Sequence, residues 1–179
     1  MRNTIAGVII AIFALLSCAG VDMHIQKEKA PARIAKVQIG TFEKRNLGYD
    51  PYVALNFADA LKFELFKRGV STELQRVAAS TTNQKTNEIR LFTSDEIKEL
   101  GTTYQFDLYV QGVLAEITSG DTIETNTSSS ITVFLYTRAG EKIGEVRYVL
   151  NDSLSNLKTL EKIASAIVKE ISSVLHTGS

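Results

Sequence analysis

FDLYVQGVLAEI, residues 106–117, is apolar on both sides at strand spacing: Leu108, Val110 and Leu114 point one way, Tyr109, Val113, Ala115 and Ile117 the other. A strand with one wet face alternates apolar and polar residues. This one does not, which marks it as an interior strand. The flanking sequence has to supply its neighbours and its cover.

Upstream, RIAKVQIGTFE (residues 33–43) sets Ala35, Val37 and Ile39 on one face and ends near Phe42, which suits the first strand of the sheet. The loop KRNLGYD follows, and Asp50 then stands as an N-cap with Pro51 at the first helical position. The helix is expected to run to Arg68 and stop at Gly69, burying Ala54, Phe57, Ala58, Leu61 and Leu65. Lys67 and Arg68 fall at its negative end, where the dipole favours them. Residues 70–75 suit a short strand, and residues 79–88 form a polar, aperiodic loop. Thr93-Ser94-Asp95-Glu96 matches a capping box opening a short helix that ends at Gly101.

Downstream, residues 119–130 are small, polar and loop-like, with ends able to extend the neighbouring strands. SITVFLYT and IGEVRYVL then flank the turn Arg138-Ala139-Gly140-Glu141 as a hairpin. A long helix, capped by Asp152 or Ser153, runs toward Leu175. Leu157, Leu160, Ala164, Ile167, Val168, Ile171 and Val174 lie on its apolar side. The order is β-α-β-(α)-β-β-β-α. It predicts an α+β two-layer sandwich: a mainly antiparallel or mixed small sheet with two long helices packed on one face.

The other informative segment is the start. An early Arg2, the apolar run 5–16 and Leu15-Leu16-Ser17-Cys18 together match a lipoprotein export signal, with the signal peptidase reading Leu15, Leu16 and Ser17 and cutting before Cys18. The Cys18 thiol would then carry diacylglycerol and its amine an acyl group; two or more acyl chains anchor a protein stably where one does not. Cys18 is the only cysteine in the chain, so no disulfide forms within it. The expected division is a signal peptide over 1–17, lipidated Cys18 and a tether over 18–32, and a single α+β domain over 33–179. Such a tether reaches on the order of 40–50 Å.

The 20 basic and 20 acidic residues balance, which argues against nucleic acid as a partner. A 44% apolar content with no tryptophan and two prolines is that of a globular domain.

With the elements placed, the chain resembles envelope lipoproteins that share the curli-secretion lipoprotein (CsgG) type of domain, an architecture also found in the N-terminal domain of TolB and in LpoB. The resemblance rests on RIAKVQIGTFE, the helix ending at Gly69, the strand opening at Asp107 with Gly112 beyond it, TRAGEKI and the closing helix. The chain departs from the pattern where Phe42 is followed by Glu43-Lys44, and no segment has the extra alternating strands of a pore. DPYVALNFADALKFELFKRGV is also similar to the first helix of the lipopolysaccharide-assembly lipoprotein LptE.

These resemblances imply a non-catalytic adaptor or assembly factor, lipid-anchored in the bacterial envelope, outer membrane and facing the periplasm. Its partner would be a peptidoglycan synthase, a secretion machine or a β-barrel translocon. An LptE-like role in lipopolysaccharide assembly and a surface-displayed binding lipoprotein are the alternatives. No enzyme is expected: Thr127-Ser128-Ser129-Ser130 lacks a nucleophile elbow or a base, and His24 and His176 have no ligand-spaced partner for a metal. Apart from the lipid on Cys18, no cofactor is expected. Leu47, Tyr49 and Tyr52 are the candidate partner-binding residues, because aromatic side chains favour interfaces.

Overall fold

The computed structural model describes residues 20–47, 52–74, 90–120 and 125–175, without the side chains of 118–120 and 125. Its strands are β1 (Gly20–Ile25), β2 (Lys36–Arg45), β3 (Ser71–Leu74), β4 (Leu108–Gly120), β5 (Thr125–Thr137) and β6 (Lys142–Leu150). Its helices are α1 (Val53–Phe66), α2 (Ser94–Thr103) and α3 (Leu157–Val174). The strands form one mixed sheet in the order β1-β6-β5-β4-β2-β3. β2 runs parallel to β3 and β4, and the remaining neighbours are antiparallel.

β4 lies between β2 and β5, the interior place its two apolar sides demand. One side, Leu108, Val110 and Leu114, joins Val37 and Ile39 of β2 and Ile131, Val133 and Leu135 of β5 in the main core. α1 covers it with Phe57, Leu61 and Leu65, and α3 with Leu160, Ile163, Ala164, Ile167, Val168 and Ile171. Phe42 meets Phe57 edge-on, ring centroids 5.1 Å apart. Gly112 leaves room for that ring: a Cβ there would stand 2.2 Å from the Thr132 carbonyl oxygen and 2.9 Å from Phe42. The Asp107 carboxylate accepts the backbone N–H groups of Ala35 and Lys36 at 2.8 and 2.9 Å, fastening the start of β4 to that of β2.

The two long helices share one face as expected, and the short third helix, for which the sequence set no face, lies elsewhere. α2 packs on the reverse face, where Ile97, Phe106 and Tyr109 form a second core with Phe92, Leu100 and Tyr136. The reason is handedness. The β2-α1-β3 crossover moves outward, the β3-α2-β4 crossover moves back past β2, and two right-handed crossovers of opposite direction place their helices on opposite faces. The Thr93–Glu96 capping box opens α2 as read from sequence. Gln111 clamps it by accepting the Phe92 N–H and donating to the Phe92 carbonyl, both at 2.8 Å.

Three expectations are corrected. The tether over 18–32 contains β1, paired with β6 from Gly20↔Val149 to Ile25↔Gly144, and a 3-10 turn at Lys27–Lys29. Val21, Met23 and Ile25 alternate with Asp22 and His24, a short period of two that suffices once β6 offers an open edge; Met23 and Ile25 pack on the main core. The fold therefore begins by residue 20 rather than 33.

Second, strand takes more of residues 119–130 than an extension at the ends: β4 runs to Gly120 and β5 opens at Thr125, with residues 125–128 paired to β4 and Ser129 and Ser130 paired to β6 as well. Third, α3 is capped by Asn156, which accepts the Lys158 N–H at 2.9 Å. The Asp152 carbonyl instead accepts the Ser129 hydroxyl at 2.5 Å in the turn before it. Asp50 and Pro51 lie outside the described residues, whereas Gly69 ends α1 in the left-handed region at φ 75°.

Candidate interaction surface

α1 is apolar on two opposite sides. Val53, Phe57, Ala58, Leu61 and Leu65 face the sheet and α3. On the far side Tyr52, Leu55, Asp59, Lys62, Phe63 and Phe66 fall within about 100° of arc at helical spacing. Phe63 and Phe66 are 60% and 69% exposed, too much for side chains that only close a core. Large apolar side chains gathered on the outer side of a helix, even among Asp59 and Lys62, mark a face for contact.

Two grooves flank Phe63. One, of about 600 Å³, runs between the second half of α1 and β3 and is lined by Lys62, Phe63, Phe66, Val70 and Thr72. The other, of about 460 Å³, lies between α1 and the start of α3, where Ala60 and Phe63 face Leu157 and Glu161. Leu157 is half exposed there. β3 forms an edge of the sheet among the described residues, and its short length limits what can pair with it.

The charges nearby belong to the scaffold. Glu64 is buried under α1 and forms an ion pair with Lys67 and a second with Arg68, whose Nη1 is 3.3 Å from the carboxylate. Burial pushes the Glu64 carboxyl up, but hydrogen bonds from Lys67, Arg68 and Ser165 outweigh it and hold the group below its ordinary value. The Lys67 ammonium also stands 5.0 Å from the Phe63 ring centroid, fixing the edge of the apolar stripe. On the reverse face the Tyr109 hydroxyl is buried without a hydrogen-bond partner, and burial first, then the Glu96 charge, pushes its pKa up.

Of the residues singled out from sequence, Tyr52 is 63% exposed and opens the outer stripe of α1. Leu47 is half-buried against the main core. Tyr49 lies outside the described residues, as do Leu15, Leu16, Ser17 and Cys18. Leu55, Phe63 and Phe66 carry no expectation from sequence, and Leu157, expected on the apolar side of the last helix, stands at the rim of the second groove. The signal for the first three is a second helical series, which a search for one buried stripe does not report. Among the described residues no three His, Cys, Asp or Glu side chains form a metal-holding group, and no helix is long and apolar enough to cross a membrane.

No family model and no curated protein matches this sequence. Among solved structures, the PelC dodecamer from Paraburkholderia phytofirmans is similar at TM-score 0.58 and 12% identity, over 90% of this chain and 99% of that one. A single-substitution form of the same PelC dodecamer superposes at TM-score 0.57, again at 12% identity, over 89% and 99%. Lipoprotein GNA1162 from Neisseria meningitidis matches at TM-score 0.45 and 18% identity, over 78% of this chain and 99% of that one. At such identities the likeness to PelC is one of fold.

Proposed function

We propose that this protein is a lipid-anchored bacterial envelope lipoprotein that acts without catalysis, as an adaptor or assembly factor gripping another envelope protein. The anchor reading rests on Leu15-Leu16-Ser17-Cys18. The observation that carries the gripping role is the outer stripe of α1: Phe63 and Phe66 stand exposed beside a groove and a sheet edge. Aromatic anchors flanked by grooves are the usual centre of a protein interface. The two aromatic rings stand in that groove among Asp59, Lys62, Ser71 and Thr72, a mixed apolar and polar lining with a single carboxylate.

A photo-reactive phenylalanine analogue at position 66, in living cells, tests this. The expected result is an adduct with one envelope protein, lost when Phe63 is also changed to Asp and absent when the analogue replaces the exposed Arg147 on the other side of the sheet. Equal labelling at both positions, or none, would remove the surface from the argument. A second reading has its own support: PelC, of similar fold, is a dodecamer. On that reading the adduct joins two copies of this chain, and its mass decides between the two.

A further inference from the structure

Gly20, the first residue of β1, stands two positions after Cys18. Two residues reach at most about 7 Å. Acyl chains on Cys18 therefore enter the bilayer beside the start of β1, where a tether of fifteen residues would have let the domain stand clear.

The register tells what else stands at that end. Gly20 pairs with Val149, Val149 with Ser130, Ser130 with Ala115, and Ala115 with Arg45. β2 ends on that line, so α1 begins near it; β6 ends there too, so α3 begins near it. Ile117 is two residues past the line along β4, as Cys18 is two residues before Gly20. The large apolar side chains that are exposed among the described residues divide accordingly. Val21, Tyr52, Leu55, Ile117 and Leu157 gather toward this end, while Phe63, Phe66 and Tyr104 lie toward the other.

We infer that this end of the sandwich is seated on the lipid surface, with Tyr52, Leu55, Ile117 and Leu157 in the interfacial layer around the acyl chains. The inference rests on the lipobox reading of Cys18. The length of chain between Cys18 and β1 selects lipid over a protein as the occupant, because the acyl chains have to enter the bilayer here. Lys44, Arg45 and Lys158 are set against Glu43, Glu116 and Asp152 at this end, so the contact is apolar burial rather than charge attraction. Beyond Ile117, which pairs with Ser128, the hairpin runs on through Thr118↔Thr127 and Ser119↔Asn126 to Gly120↔Thr125, small polar residues that suit head groups and not hydrocarbon. Phe63 and Phe66 remain clear of the membrane for a protein partner.

The chain has no tryptophan, so single introduced tryptophans report depth without background. Leu55→Trp, Ile117→Trp and Tyr104→Trp are made in the full-length, membrane-extracted protein and reconstituted in phosphatidylcholine–phosphatidylglycerol vesicles with and without brominated acyl chains. Mass spectrometry first reads acylation of Cys18. Blue-shifted emission and quenching by brominated lipid are expected for Leu55→Trp and Ile117→Trp, and neither for Tyr104→Trp. No quenching at any position on acylated, vesicle-bound protein would overturn the seating and leave the anchor standing. Quenching of Tyr104→Trp alone would place the opposite end on the lipid and overturn it as well. Absence of acyl mass on Cys18 would overturn the anchor, and the seating with it.

Discussion

Glu96 shows how one side chain joins capping, packing and pH dependence. The Arg90 hydrogen bonds lower its carboxyl most; burial works against them, and the Thr93 N–H and hydroxyl add to the lowering, leaving it at about 2 against an ordinary 4.5. The folded state therefore favours the charged form, so the stability it contributes is present above pH 4.5 and is lost as pH falls from there toward 2. Glu96→Gln should flatten that part of a urea-midpoint-against-pH curve, and an unchanged slope would refute the assignment. Removing the other half of the box, Thr93→Ala, should cost about 1 kcal/mol at neutral pH. Gly112 makes a sharper case: Gly112→Ala drives a methyl into the Thr132 carbonyl and the Phe42 ring, and denaturant unfolding should report a loss of about 1–3 kcal/mol. At this scale the sequence pointed to Tyr52, which the fold leaves exposed at the start of the outer stripe. Leu47 looked equivalent in sequence, but its apolar side chain was needed against the main core.

At the scale of elements, what was read correctly had an internal signal. The interior strand, the hairpin at residues 138–141, the capping box of α2 and the glycine stop of α1 each follow from a period or a cap carried by the element itself. β1 had only a five-residue alternation, and its existence depends on the edge of β6. Deleting residues up to Ile25 should therefore lower the urea midpoint and expose the β6 edge to association; a tether would leave the midpoint unmoved. The same reasoning explains α1. Its inner stripe is visible because the core is expected, whereas Leu55, Phe63 and Phe66 form a series whose cover lies outside this chain. A surface double variant, Phe63→Asp with Phe66→Asp, should keep stability within about 0.5 kcal/mol per site.

For the whole molecule, the proposed anchor and the end of the sheet beside it act together. Cys18→Ser should leave an unacylated chain that partitions less with membranes; membrane fractionation equal to the wild type would refute the anchor. On the proposed seating, the anchored protein would stand on the bilayer by one end, with its distal α1 groove and β3 edge turned toward the compartment. That geometry fits an adaptor whose partner is met close to the membrane rather than across a gap of on the order of 40–50 Å.

Sequence by itself determined most of the pieces: the long helices and the interior strands, where α1 stops and α2 starts, that β4 lies inside a sheet, and that the first eighteen residues match an export and lipidation signal. Tertiary structure alone decided that α2 crosses to the reverse face, that residues 20–25 complete the sheet, that residues 125–130 are strand, and which apolar side chains stay exposed. The physical reason is the range of the forces involved. Caps, periods and turn glycines act within one element and are written in it, whereas a face, an edge or an uncovered stripe is defined only by what packs against it.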